Sequence, residues 1–156
     1  MKARLYSFHS RWNLEATPDE VWQVLTATPF SWQAWWPELT SLEVLKADPQ
    51  YVGTVFACIW RAKSGYKLHA TFTITAVEKP RVIKLTSDGD LLGSSEWIFT
   101  SPANGITRLN ITWKARTTKR WMNWLAPVLG PIFLSNHDAI MRSGQAGLQQ
   151  YLKDYA

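Results

Sequence analysis

The chain has 156 residues, 46% of them hydrophobic and 19% charged, which suits one folded domain and excludes a disordered polymer. Its net charge of +5 draws acidic partners weakly and serves solubility equally well. A lone cysteine, Cys58, excludes an intrachain disulfide; the polar opening MKARLYSFHSRW and the lack of an apolar run of about 18 residues argue against a signal peptide and a spanning helix, so a cytoplasmic protein is expected.

Residues 4–14 alternate, with Tyr6, Phe8, Trp12 and Leu14 on one face, Ser10 among them, and Ser7, His9, Arg11 and Asn13 on the other. Period two predicts a half-buried strand. In Thr17-Pro18-Asp19-Glu20 the threonine can cap a helix, the proline suits its first position and the glutamate completes a capping box. Val21, Trp22 and Leu25 supply the apolar stripe, and Pro29 sets the limit. A second short helix is predicted from Phe30 to Trp36, stopped by Pro37.

Strands are predicted at 40–47, 53–62, 66–78, 81–88, 92–101 and 106–116. Turn chemistry separates them at Asp48-Pro49, Ser64-Gly65, Lys79-Pro80, Asp88-Gly89-Asp90 and Asn104-Gly105. Such short connections imply an antiparallel meander. After Pro131, Phe133, His137, Met141, Gly144, Leu148 and Leu152 recur at steps of three and four, one face of a long amphipathic helix. Gly144 and Gly147 each cost about 1 kcal/mol relative to Ala inside a helix, so they are expected where the helix approaches the sheet closely. Neither repeats nor linkers interrupt the chain, and one domain over 1–156 is expected.

The order strand, two short helices, six strands, long helix is that of the helix-grip fold. This is an α+β architecture in which a curved antiparallel seven-stranded sheet wraps a long C-terminal helix. Ala16-Thr17-Pro18-Asp19-Glu20-Val21-Trp22 resembles the opening of START/polyketide-cyclase-like (SRPBCC) proteins, and Trp32, Trp35, Trp36 and Pro37 resemble their aromatic-rich second helix. Gly89-Asp90-Leu91-Leu92-Gly93, followed by Glu96-Trp97, resembles a later hairpin. Trp121-Met122-Asn123-Trp124-Leu125-Ala126-Pro127, then Asn136-His137 and Met141, resembles the C-terminal region of bacterial members labelled polyketide cyclase/dehydrase. The resemblance covers nearly the whole chain and implies an apolar cavity between sheet and helix. The superfamily spans cyclases, oxygenase domains, lipid carriers, hormone receptors and stress proteins, so the fold does not fix the function.

Alternation assigns the walls of such a cavity. The expected ligand-binding set is Phe56, Cys58, Trp60, Phe72, Trp97, Phe99, Ile111 and Trp113 from the strands, with Phe133, His137 and Met141 from the helix. Leu68, Ala70, Ile74, Ile83, Leu85 and Leu109 share the same faces. An apolar lining with few polar groups is the usual makeup of a small-molecule site. The alternative is that the ten Trp of the chain interlock and leave no void.

Chemistry is sparse. His9 and His69 fall on polar faces, while His137 lies on the apolar helix face. It is there either a core histidine or a ligand-orienting, proton-transferring group, and its ordinary pKa near 6.5 suits acid–base work. Asn136 points about 100° away from it. Glu96 falls opposite Trp97, and Asp88 and Asp90 are turn residues. A cyclase needs a base and an enolate-stabilising donor, and only His137 faces inward, with Ser95 and Arg61 near the rim. Three scattered His and one Cys offer no metal-ligand spacing, and neither a phosphate loop nor a nucleophile elbow is present, so no metal or cofactor is expected.

Lys114, Arg116, Lys119 and Arg120 precede the apolar segment 121–134, where Pro127 and Pro131 are expected to break or kink any helix. The segment either packs over the pocket or forms a lid that touches an anionic membrane through Trp121 and Trp124. The leading function is a non-catalytic carrier or sensor of a lipid, polyketide or aromatic metabolite. The competing one is a polyketide cyclase/dehydratase using His137 as acid/base. Nucleic acid is not expected, because the basic residues are scattered and no recognition motif is present. Monomer and homodimer both remain open.

Overall fold

Capping chemistry, turn residues and alternation set the element boundaries in this computed structural model, which describes residues 5–27 and 29–155. β1 (Leu5–Leu14) keeps its period of two, burying Tyr6, Trp12 and Leu14 and exposing Leu5, Ser7 and His9. Thr17 caps α1 (Pro18–Thr26): its hydroxyl accepts from the Glu20 backbone N–H at 3.2 Å, and the Glu20 carboxylate accepts from the Thr17 amide at 3.4 Å. Val21, Trp22 and Leu25 are buried beneath it. α2 (Trp32–Trp35) is one turn, shorter than the predicted Phe30–Trp36. Ser31 gives it no side-chain cap, and Trp36 already takes extended angles ahead of Pro37.

Six further strands follow: β2 (Leu39–Lys46), β3 (Val55–Arg61), β4 (Lys67–Glu78), β5 (Val82–Gly89), β6 (Leu91–Ala103) and β7 (Ile106–Thr117). Together with β1 they form one antiparallel seven-stranded sheet in the order β1-β7-β6-β5-β4-β3-β2. The meander holds from β2 to β7, and the first strand then closes onto the last, with Leu5 opposite Arg116 and Leu14 opposite Thr107. Gly105 takes φ +74°, the left-handed angle that the Asn104-Gly105 turn needs.

α3 (Arg120–Trp124) and α4 (Ala126–Tyr155) complete the chain. The break expected at Pro127 and Pro131 does not occur: α4 starts at Ala126 and runs through Pro131. Pro127 stands at the helix start, where its missing N–H would have no intrahelical partner. Pro131 forfeits only the bond to the Pro127 carbonyl, in turns whose Pro127 and Pro131 are both exposed to water.

The two helical glycines serve a close approach, but to α2 rather than to the sheet. A Cβ on Gly144 would lie 2.5 Å from Cε2 of Trp36, and one on Gly147 would overlap the backbone carbonyl of Trp35. The space cleared at Gly144 lets the Trp36 indole N–H donate to the Ile140 carbonyl at 2.8 Å. Trp35 and Trp36 stack on each other at 5.4 Å, and Trp12 packs edge-on to both, 6.5 and 5.4 Å away, where β1, α2 and α4 meet.

Candidate functional site

Between the inner face of the sheet and α4 lies a cavity of about 110 Å³. Nine of the eleven residues expected on its walls are there: Phe56 and Trp60 from β3, Phe72 from β4, Trp97 from β6, Ile111 and Trp113 from β7, and Phe133, His137 and Met141 from α4. The rings touch one another: Phe56 and Phe72 stack at 5.4 Å, and Trp113 lies 6.0 Å from both Phe72 and His137.

Cys58 and Phe99 are off the wall. Cys58 is buried on the same strand face, but its short side chain does not reach past its neighbours Phe56 and Trp60. Burial pushes its thiol up to about 12, so the sulfur is inert. Phe99 lies at the far end of β6, where its ring meets Trp22 of α1 at 5.4 Å. Period two identifies the face of a strand, not the depth along it.

Several wall residues were missing from the expected set. Tyr6 and Phe8 come from β1, whose pairing with β7 sets Phe8 opposite Trp113. Trp32 and Trp36, four residues apart, bring the α2 region to the wall, and Tyr66, Leu91, Ser95, Thr117, Met122 and Ile140 also line the cavity. The signal for Tyr6 and Phe8 was their apolar face. What could not be read was that the first strand would join the seventh.

Most polar groups of the lining are already engaged. The Ser95 hydroxyl donates to the Thr112 carbonyl at 2.8 Å and accepts from the Trp97 indole at 3.1 Å. Thr117 donates to the side chain of Asn123. The Tyr66 hydroxyl accepts from Asn136 at 3.1 Å, and Asn136 also donates to Ser64 at 3.0 Å, so it turns away from its neighbour His137 as expected. Burial raises the Tyr66 phenol above its ordinary value, against the lowering effect of the Asn136 bond.

His137 is the exception. Its ring stacks on Phe8 with centroids 3.9 Å apart, and among the described residues no hydrogen-bond partner holds it. Burial pulls it down from 6.5 to about 4, against the raising effect of Asp138, so the imidazole is neutral at pH 7. Glu96 is on the outer face with Lys84 at 3.6 Å. Asp88 accepts from Gly89 N–H in its turn, Asp90 accepts from the His69 N–H and pairs with Lys119 at 3.6 Å, and Arg61 is exposed off the wall. Among the described residues no cluster of three metal-binding side chains forms, and no helix is long and apolar enough to cross a membrane.

A family model described as polyketide cyclase / dehydrase and lipid transport matches residues 7–153. Among solved structures, the chain is similar to a START superfamily protein from Mycobacterium smegmatis, with a TM-score of 0.76 and 10% identity over 96% of this chain and 99% of that one. It is also similar to an aromatase/cyclase from Streptomyces sp. R1128, with a TM-score of 0.71 and 15% identity over 96% and 94%. A third likeness is to norcoclaurine synthase from Thalictrum flavum, with a TM-score of 0.65 and 11% identity over 99% and 98%. At these identities the likeness is one of fold. No curated protein matches the chain in sequence. The seven-stranded grip on a long helix agrees with a family match that spans nearly every residue: the chain belongs to the polyketide cyclase / dehydrase and lipid transport family.

Proposed function

We propose that this protein is a carrier or sensor that holds a hydrophobic small molecule, a lipid, polyketide or aromatic metabolite, in the cavity under α4. The observation that carries the reading is the makeup of the wall. Aromatic rings from two helices and five strands converge on a void, while the hydroxyls of Ser95 and Thr117 are spent on protein partners. Such a wall rewards burial of apolar surface at about 25 cal/mol per Å² and leaves little to polarise a reacting bond. Carriage of an apolar molecule also supplies a reason for the anionic-membrane contact expected of Trp121 and Trp124. Nucleic acid has no place in this reading.

One observation favours a second reading, a cyclase/dehydratase with His137 as acid/base: the imidazole reaches the wall with no hydrogen-bond partner among the described residues. Against it, a group at about 4 is a poor proton donor and a weak base at pH 7, and among the described residues no carboxylate lines the cavity beside it. An aromatase/cyclase and a norcoclaurine synthase share the fold, so the fold admits both readings.

Native mass spectrometry of the purified protein, followed by extraction, tests the proposal. The expected result is a co-purified apolar compound that also changes the fluorescence of Trp97 and Trp113. No compound, and no fluorescence response to lipids or aromatic polyketides, would overturn it. His137→Ala separates the two readings: a carrier loses affinity alone, whereas an enzyme loses turnover by about 10²–10⁴-fold with little change in affinity.

A further inference from the structure

α3 and the opening turns of α4 have two unlike sides. Facing inward, Met122, Phe133 and His137 line the cavity. Facing outward, Trp124 is 71% exposed, Val128 73%, and Ile132 and Trp121 are close to half exposed. Val128 and Ile132 are four residues apart and share one side of α4, about 100–140° round from Phe133 at 100° per residue. Trp121 bridges the two sides, its ring 6.3 Å from Tyr66 and 6.4 Å from Phe133.

The segment that carries this patch is basic, and the neighbouring carboxylates belong to the Asp88–Asp90 turn beside Thr118. From Lys114 to His137 the sequence holds four cations and no Asp or Glu. Lys119 is paired with Asp90, but Lys114, Arg116 and Arg120 have no ion-pair partner among the described residues. Arg116 lies between two exposed leucines in the sheet register, Leu5 on β1 and Leu92 on β6. That row is on the outer face of the sheet, at the end where β7 leads into α3, so exposed apolar side chains and cations gather at the end of the molecule where α4 begins.

We infer that this end, the outer side of α3 and early α4 with the Leu5–Arg116–Leu92 row, docks on an anionic lipid bilayer. The aromatic and aliphatic side chains enter the headgroup–acyl boundary while the cations meet lipid phosphates or carboxylates. A second copy fits less well, because a two-fold contact through the patch would bring Arg116 and Arg120 towards their own like charges. A nucleic acid would leave Val128 and Ile132 without a partner. Docking would set the cavity against the membrane, so that a ligand passes only Met122, Tyr66 and Phe133 to enter. That last step rests on the carrier reading; the docking itself does not.

Flotation of the full chain with ligand-free vesicles tests the inference. Vesicles of phosphatidylcholine with phosphatidylglycerol are expected to carry the protein, and phosphatidylcholine alone to carry much less. Added salt should weaken binding. Trp124→Ser with Val128→Ser should abolish it, and Arg116→Gln with Arg120→Gln should weaken it about twenty- to thirty-fold, the order set by two juxtamembrane cations. All four sites are exposed, so circular dichroism should show unchanged folding. Failure to float with phosphatidylglycerol, or flotation indifferent to both variants, would overturn the inference. So would concentration-dependent dimerisation lost in the Trp124→Ser, Val128→Ser protein, which would assign the patch to a second copy. Because the vesicles hold no cavity ligand, an empty cavity by mass spectrometry and a failure to float are separate outcomes.

Discussion

At His137 desolvation outweighs the neighbouring charge, and the sign of the consequence is fixed. The unfolded chain takes up a proton near 6.5, whereas the native imidazole resists until about 4. The stability tied to this difference is present in full above pH 6.5 and is lost as pH falls through 4, by about 3 kcal/mol. His137→Phe keeps a ring against Phe8 and removes the proton site. Urea unfolding between pH 7 and 4 should therefore show a flatter stability profile for the variant than for the parent; parallel profiles would refute the buried neutral imidazole. The position of this residue was legible, since Phe133, His137 and Met141 repeat at four-residue steps on an apolar face. Its stacking on Phe8 was not, because alternation says which way a strand residue faces and nothing about which helix residue meets it.

Among the elements, α4 depends most on what is absent from its side chains. A methyl at position 144 would displace the Trp36 indole and break its 2.8 Å bond to Ile140, partly offset by the better helix propensity of Ala. Gly144→Ala is expected to destabilise by about 1–2 kcal/mol. Gly147→Ala meets a main-chain carbonyl, which cannot swing aside, and should cost about 3 kcal/mol. Denaturant midpoints of the two variants check both the size and the order, and an equal or reversed pair would count against this packing. That these glycines mark a tight contact could be read from their cost inside a helix. That the contact is with α2 could not, since the partner depends on how the short helices fold back over the sheet. Pro131 erred the other way: the local rule predicted a break, and exposed early turns tolerate the lost bond.

For the molecule as a whole, the volume of the cavity decides more than its lining. An apolar cavity of roughly 150 Å³ accepts benzene, so about 110 Å³ suits one ring or a short acyl segment with the walls at rest. A single-ring apolar compound at a hundred times its Kd should stabilise the protein by about 2.7 kcal/mol, a rise in melting temperature of roughly 5–10 °C. A four-ring compound should give a smaller shift in a thermal scan, because it must first part the walls; an equal shift would mean that the grip opens freely. The sheet, its meander and the long helix were legible because periods of two and four and the turn residues agree along the chain. The void was only half legible: periodicity tells which side chains face one another, and their separation depends on how far α2 and α4 stand off the sheet.

The closure of β1 onto β7 has a consequence for how the chain is made. Leu14 is paired with Thr107, so the earliest strand waits for 93 more residues (107 − 14) before its neighbour exists. At about 5–20 residues per second, translation imposes a delay of roughly 5–20 s. α4, which roofs the aromatic trough, leaves the ribosome later still. Until α4 emerges, Phe56 and Trp97 have only Trp32 of α2 to pack beneath, and the earliest-made strand cannot pair before the last one exists.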